Sequence, residues 1–190
     1  ADSVDYVVLM AYDETWAKST IAGPVASYPW VREHTEKMTH EVPSHKLVLG
    51  IPFYTRIWHE VNGITRGETL AIKNEPTYFS NYASNIIWND TLKSYYAAIP
   101  TASGTDKIWF EEHKSLDYKL NLVKEFKLAG FAAWRKGFED DTTLAMIKET
   151  DLGKGVPTAK PVVEEPKPVV EQPLTKAERK ALEKAAKEKT

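Results

Sequence analysis

Apolar runs and amphipathic runs follow one another along the first 150 residues. The apolar runs have the length and β-branched content of buried strands, and each is followed by a segment with helical periodicity. The runs cover residues 4–12, 46–53 and 131–134, and the helical segments cover residues 29–40, 115–130 and 140–150. Strands that are apolar throughout and separated by helices are typical of parallel βα units. The pattern therefore predicts an α/β fold, with Ser115 as a helix N-cap and Gly130 as a helix C-terminal glycine.

The pattern changes between Trp58 and Trp109, where short aromatic-rich segments are separated by Gly and Pro. These segments are EPTYFSNY, IIWNDTLKSYYAAI and DKIWFE. They suggest antiparallel strands. We interpret residues 57–113 as a small α+β insertion within a globular body that spans residues 1–152.

The composition changes again after the globular body. Residues 153–174 form a predicted linker, which has five prolines between Val156 and Pro173. Residues 175–190 are rich in strong helix formers, but Leu182 is the only large aliphatic side chain there. A helix without an apolar face has nothing to bury, so we predict a solvated, charged helical tail.

Composition excludes several classes of function. The 190 residues are 42% hydrophobic, which is enough for a core, and the net charge of −2 gives no basic field for nucleic acid. No apolar run is long enough to span a bilayer, and no signal peptide is evident. The absence of cysteine excludes disulfides and thiolate sites. The five histidines lack a metal-ligand spacing, so we expect neither a metal nor a cofactor.

The candidate chemistry lies where the predicted strands end. In βα barrels the carboxyl ends of the strands face the active site. The first strand ends in Tyr12 and Asp13, the second is followed by Tyr54 and Arg56, and the third ends in Trp134. Aromatic planes that are surrounded by hydrogen-bonding groups suit a sugar, which has apolar faces and a belt of hydroxyls.

Three motifs at these strand ends make the resemblance specific. MAYD, LGIPFYTR and GFAAWRKGFE, in this order and spacing, resemble the sixth, seventh and eighth strands of glycoside hydrolase family 18, the chitinase-like family. Among its bacterial members, those that act on spore cortex or cell wall are the most similar. The resemblance implies that residues 1–152 are the C-terminal part, about three βα units, of a TIM (β/α)8 barrel.

The resemblance also implies a role for each candidate residue. In the family's substrate-assisted retaining mechanism, the 2-acetamido carbonyl of the substrate attacks the anomeric carbon. Tyr12 would hydrogen-bond that acetamido group, and Asp13 would bind a hydroxyl or steady the acid in the same subsite. Trp134 would form the floor under the sugar, and Tyr54 would contact substrate at the rim. Arg56 would hydrogen-bond either substrate or a neighbouring carboxylate there, and the sequence leaves both roles open. Trp16 would line a neighbouring subsite.

One family motif is missing from this sequence. The catalytic acid belongs to a D-x-x-D-x-D-x-E motif, which does not occur in the 190 residues. Glu139, Glu111 and Glu112 do not follow alternating aspartates at a strand end, so we do not assign any of them as the acid. Ala1 is not a Met, and we expect a longer native chain whose N-terminal half completes the barrel.

The sequence leaves three hypotheses open. The first is an inactive portion of an enzyme that hydrolyses chitin or peptidoglycan, outside the cell, in the cell wall or on the spore surface. The second is a non-catalytic glycan-binding module that keeps the rim residues without an acid. The third is an interaction part whose open sheet edges pair with another chain that supplies the missing strands.

Overall fold

The computed structural model describes residues 3–150, and the predicted linker and tail lie outside the described residues. The strands are β1 (Val7–Met10), β2 (Leu47–Pro52), β3 (Tyr54–Val61), β4 (Ile64–Ala71), β5 (Ile86–Asn89), β6 (Ser94–Pro100), β7 (Thr105–Trp109) and β8 (Gly130–Trp134). The helices are α1 (Tyr28–Glu41), α2 (Glu75–Tyr82), α3 (His113–Glu125) and α4 (Asp141–Glu149). Short 3-10 turns lie at Ser44–Lys46, Ile72–Asn74 and Ala83–Asn85.

The three predicted strands form one parallel sheet, in the order β1-β2-β8. This arrangement confirms the predicted α/β class. Side chains alternate across the sheet, and on one face Leu49 and Ile51 pack in a core that includes side chains of α1 and α3. On the other face Val8 and Met10 are exposed, Met10 by 65%. The strands are therefore apolar on both faces of the sheet, although other described residues pack against only one of these faces.

The ends of the helices follow from local chemistry. Pro29 lies in the first turn of α1, where its missing N–H is not needed. The carboxylate of Glu112 caps α3 by accepting the N–H groups of Lys114 and Ser115. The prediction that Ser115 is the N-cap is therefore wrong, because the preceding glutamate reaches those donors first. Within residues 3–150, no helix is both long and apolar enough to cross a membrane.

Two further local predictions are wrong. EPTYFSNY is helix α2 rather than a strand, because Pro76 suits a first helical turn and the helix packs Phe79 on Phe110, with ring centroids 4.8 Å apart. Gly130 does not end α3, which stops at Glu125. Gly130 is the first residue of β8, with φ of +155°.

Residues 54–109 form a second, antiparallel sheet in the order β4-β3-β7-β6-β5. It has its own small core, which is centred on Ile57, Ile108 and Phe110. Trp58 is fully buried, and its Nε1–H donates to the carbonyl of Gly23 at 2.7 Å. This bond ties the sheet to the loop that follows β1.

A buried ion pair lies where the chain returns from the antiparallel sheet to α3. Lys119 and Glu111 are both fully buried, and the Nζ of Lys119 donates to Oε2 of Glu111 and to Oγ of Ser115. Burial raises the pKa of Glu111 to about 7, against the lowering effect of Lys119. The pair joins the antiparallel sheet to the helical layer of the parallel one.

Candidate functional site

The carboxyl ends of the three parallel strands share one rim. The register pairs Met10 with Gly50 and Gly50 with Ala132, and two residues further along it pairs Pro52 with Trp134. Tyr12 comes two residues after Met10 and therefore belongs to the same level as Trp134. The predicted rim residues of the first and third strands are thus brought to one edge.

Asp13 is the centre of a hydrogen-bonded cluster at this rim. Its backbone has φ of +63°, a left-handed conformation that Asp tolerates better than most residues. Its Oδ1 accepts the hydroxyl of Tyr54 at 2.7 Å and Nη2 of Arg56 at 2.6 Å. Among residues 3–150, its Oδ2 has no hydrogen-bond partner. Asp13 therefore offers one free oxygen in a fixed position.

The antiparallel sheet supplies both of the groups that hold Asp13. Tyr54 and Arg56 are two residues apart in β3, so their side chains project to the same face. Arg56 is only 6% exposed, its Nη1 donates to Oγ1 of Thr69 at 3.1 Å, and its guanidinium lies 5.4 Å from the ring centroid of Tyr54. These contacts fix the guanidinium, which forms an ion pair with Asp13.

The two tyrosines of the cluster are neutral hydrogen-bond donors. Their rings meet edge to face, with centroids 6.4 Å apart. Burial, and next the charge of Asp13, raises the pKa of Tyr12. Burial, followed by the hydrogen bond to Asp13, raises the pKa of Tyr54 well above its usual value. Both phenols therefore keep their protons at neutral pH.

Two residues that the sequence analysis did not single out support the cluster. A Cβ on Gly50 would lie 2.7 Å from the backbone oxygen of Leu9, so only glycine fits this close to β1, and the Cε1 atom of Tyr12 lies 3.4 Å from the same point. A glycine within a buried strand is a sign of such close approach. The contact of Thr69 with Arg56 has no comparable signal, because it depends on the pairing of β3 with β4.

The loop after β1 is fixed by Glu14. Its carboxylate accepts the backbone N–H of Ser27 at 2.7 Å and the Ser27 hydroxyl at 3.1 Å. Trp16 lies further along this loop and is 57% exposed. Within the described part of the chain, no hydrogen bond or ring contact joins Trp16 to the Asp13 cluster. The structure thus brings together Tyr12, Asp13, Tyr54 and Arg56, and leaves Trp16 apart from them.

Trp134 presents an open aromatic surface at the rim. It is 56% exposed, while its backbone is fixed by pairing with Pro52 and by accepting the N–H of Phe53 at 2.7 Å. An exposed indole on a rigid strand, beside neutral phenols and a carboxylate, can stack on the apolar face of a ring and hydrogen-bond its polar edge.

Known proteins resemble this chain along most of its length. The cortical fragment-lytic enzyme of Bacillus subtilis is 28% identical over 140 residues, which are 70% of this chain and 32% of that protein. Chitinase A1 of Niallia circulans is 29% identical over 131 residues, which are 60% of this chain and 18% of that protein. The chain thus spans about a third or less of the length of these two relatives.

A solved structure with a similar fold is the chitinase from Chromobacterium violaceum, with a TM-score of 0.70 and 26% identity over 77% of this chain and 45% of that one. The spore cortex-lytic enzyme SleL of Bacillus megaterium shares the fold, with a TM-score of 0.67 and 23% identity over 77% of this chain and 34% of that one. The profile of the family described as glycosyl hydrolases family 18 matches residues 1–139. The chain belongs to this family.

Proposed function

We propose that this chain is the sugar-binding portion of a hydrolase that acts on β-1,4-linked N-acetylglucosamine glycans, either chitin or the peptidoglycan of cell wall or spore cortex. The observation that carries the proposal is the convergence of Tyr54 and Arg56 on Asp13, at the rim that also holds Tyr12 and the exposed Trp134. Relatives named as a chitinase and as a cortical fragment-lytic enzyme support this class of substrate. Such glycans place the site of action outside the cell, in the cell wall or on the spore surface.

The rim residues suit a substrate-assisted retaining reaction. In that reaction the 2-acetamido oxygen attacks the anomeric carbon, and positive charge spreads over the new ring. The neutral phenol of Tyr12 donates a hydrogen bond to the acetamido group, and the free oxygen of Asp13 faces the developing charge. Trp134 forms the floor under the sugar, whereas Arg56 and Tyr54 hold Asp13 in place. Trp16 lines a neighbouring subsite.

The proton for the leaving group must come from another residue. The carboxylate of Glu14 accepts two hydrogen bonds from Ser27, and the buried carboxylate of Glu111 accepts one from Lys119. Glu139 accepts the backbone N–H of Gly137 at 2.6 Å. None of these carboxyl groups is presented at a strand end in this rim. We therefore assign the acid to a D-x-x-D-x-D-x-E segment outside these 190 residues.

The same proposal accounts for the uncovered face of the parallel sheet. Val8, Met10 and Trp134 are exposed on that face, and a closed barrel of this class needs eight strands. We propose that β1, β2 and β8 are the last three strands of such a barrel. The preceding strands would then cover this apolar face and carry the acid.

Binding to the 190-residue chain tests the rim directly. Titration with chitopentaose, followed by calorimetry, should show weak binding and no cleavage. Trp134→Ala should weaken binding by about tenfold, since an aromatic platform contributes on the order of 1 kcal/mol. Tyr12→Phe should weaken it less, because only one hydrogen bond is lost. The control is Tyr82→Ala, which removes a partly exposed aromatic ring of α2 that is remote in sequence from the rim motifs.

Two outcomes would contradict parts of this proposal. Cleavage of chitopentaose by the chain alone would refute the assignment of the acid to another segment. Equal binding by the Trp134→Ala and Tyr82→Ala variants would refute the sugar site. The alternative is a non-catalytic glycan-binding module that keeps the rim residues without an acid. It would be established if the preceding segment carries another residue in place of the glutamate, and if the longer protein binds but does not cleave.

A further inference from the structure

Apart from the rim, the structure contains a cleft near the segment that follows β8. It has a volume of about 490 Å³ and lies between the first turns of α2, α3 and α4. Its lining includes Glu75 and Phe79 of α2, Tyr95 of β6, and Thr142 of α4. It includes no residue of the Asp13 cluster and not Trp134. The cleft is therefore a separate cavity, which the segment 135–140 connects to the rim along the chain.

Glu75 is the distinctive group of this cleft. It is 1% exposed, and its Oε1 accepts the backbone N–H of Glu111 at 3.2 Å. Its Oε2 is buried and has no hydrogen-bond partner among residues 3–150. A buried polar atom without a partner costs about 1–3 kcal/mol. A group that enters the cleft and pairs with Oε2 would remove this penalty.

Charged groups of both signs lie at the lining of the cleft. The ammonium of Lys114 is at the lining and lies 3.6 Å from the ring centroid of Trp88. The carboxylates of Glu112 and Asp140 are also at the lining, and both accept backbone N–H groups of the helices they cap. His113 also lines the cleft, with its Nδ1 3.0 Å from Oε2 of Glu112. Because the ammonium contacts an aromatic ring and both carboxylates cap helices, these charges already have partners, which favours a neutral ligand.

Two aromatic rings also line the cleft. Phe79 and Tyr95 meet edge to face, with centroids 5.5 Å apart, and both belong to the lining. Ring faces with a few fixed polar groups between them suit a ligand that has an apolar face and a hydrogen-bonding edge.

We propose that this cleft is a second binding site, for a neutral ligand rich in hydroxyl and amide groups, such as an N-acetylated sugar, with Glu75 as its anchor. Burial raises the pKa of Glu75 well above its usual value, which favours the neutral carboxyl. A neutral carboxyl can donate a hydrogen bond to a carbonyl as well as accept one from a hydroxyl. The site does not depend on the reaction proposed for the rim.

NMR titration of the full 190-residue chain with N-acetylglucosamine tests this site. We expect saturable shifts of the amides of Lys114 and Thr142, and the same shifts in Trp134→Ala, which removes the rim platform. Glu75→Met should weaken this binding by about tenfold, since it removes the buried hydrogen bond. Glu75→Gln is the matched control and should keep most of the affinity, because the amide also donates and accepts.

A second variant avoids changing the buried carboxyl. Thr142 is exposed at the edge of the cleft, so Thr142→Trp should fill the opening without disturbing the core. This variant should lose the saturable shifts while its other amide signals stay in place. Shifts confined to the rim would overturn the second site. So would the absence of saturation, or an unchanged titration in Thr142→Trp.

Discussion

The two sheets of this chain differ in how their apolar side chains are buried. β2 of the parallel sheet is buried along almost its whole length, whereas β4 of the antiparallel sheet alternates between exposed and half-buried positions from Ile64 to Glu68. The antiparallel sheet completes its own core within residues 54–110. The parallel sheet leaves one apolar face open at Val8 and Met10. The antiparallel sheet therefore has a core of its own, whereas the parallel sheet does not cover both of its faces. The motifs of the family nevertheless lie mainly on the parallel sheet.

The candidate site combines the two sheets. Asp13 follows a parallel strand, but the groups that hold it, Tyr54 and Arg56, come from an antiparallel strand. Residues on the self-contained sheet act as a rigid support for a carboxylate on a loop. Changes that separate the two sheets should therefore disturb the site as well as the fold.

The largest expected effect comes from removing the buried cation that joins the antiparallel sheet to the helical layer of the parallel one. Lys119→Met removes the partner of the fully buried Glu111. We expect a loss of about 3–5 kcal/mol in the free energy of unfolding, because the buried carboxyl of Glu111 loses its partner. Urea denaturation followed by tryptophan fluorescence measures this change.

A double variant is the control for the Lys119 experiment. Glu111→Gln combined with Lys119→Met leaves no buried charge at this position, so it should recover a large part of the stability that the single variant loses. A Lys119→Met variant whose stability is within about 1 kcal/mol of the parent would show that the pair does not stabilise this junction, since breaking a buried pair costs several kcal/mol.

The parallel sheet could be predicted from sequence because its signal is local. An apolar run such as LVLGIPF has few alternatives once helical segments flank it, and β2 extends from Leu47 to Pro52 within the predicted 46–53. The predicted first strand, residues 4–12, is longer than β1, because the residues before Val7 have no partner strand in the described part of the chain. Periodicity identifies a strand, but neighbouring strands decide its length.

The antiparallel region and the supporting contacts of the site could not be predicted in the same way. EPTYFSNY has the aromatic content of a strand, yet tertiary packing of Phe79 on Phe110 favours a helix. Tyr54, Arg56 and Asp13 were candidates because of motifs. Their convergence on one oxygen depends on β3 turning back beside the loop after β1.

The next largest effect is expected at Gly50, at the level just below Tyr12. Gly50→Ala places a Cβ 2.7 Å from the carbonyl of Leu9 and close to the ring of Tyr12, so β1 and β2 must shift. We expect a loss of about 1–3 kcal/mol in stability, as for other overpacked positions. Chitopentaose binding should weaken as well, because Tyr12 moves.

Ala132 provides the control for this substitution. It is the register partner of Gly50 on β8 but is exposed, so Ala132→Ser adds an atom without a steric conflict. Both variants can be compared by urea denaturation and chitopentaose titration. An equal effect of the two substitutions would contradict the close approach at Gly50.

A smaller effect is expected for the ion pair that crosses between the sheets. In a double-mutant cycle, Asp13→Asn and Arg56→Met should show a coupling energy of about 1 kcal/mol, since the Asp13 side chain is 43% exposed and water screens the pair. Strictly additive effects on unfolding would show that the ion pair does not contribute to stability. Arg56→Lys tests the fork geometry, because a single ammonium cannot reach both Asp13 and Thr69 from one position.

The smallest effect concerns pH and belongs to the antiparallel sheet alone. The ring of His59 in β3 lies between Asp106 in β7, with Nδ1 at 2.7 Å from Oδ1, and Glu68 in β4, with Nε2 at 3.3 Å from Oε2. Burial alone would lower the pKa of His59, but the hydrogen bonds to Asp106 and Glu68 outweigh it and raise the pKa. The imidazolium form therefore links the three neighbouring strands.

The sign of the pH effect follows from that raised pKa. The folded protein binds a proton on His59 more tightly than the unfolded chain does, so the stabilisation is complete below the unfolded pKa of about 6.5 and is lost as pH rises through the folded value. The raised pKa of Glu111 also makes the fold less stable as pH rises, over the range between its unfolded pKa and about 7. A comparison of the parent with His59→Asn, by urea denaturation across this range, isolates the histidine because Glu111 is present in both. The parent should lose up to about 1 kcal/mol more than the variant as pH rises, a small value because the His59 side chain is 37% exposed. A parent that becomes more stable than His59→Asn with rising pH would show that the strands are held by the neutral ring instead.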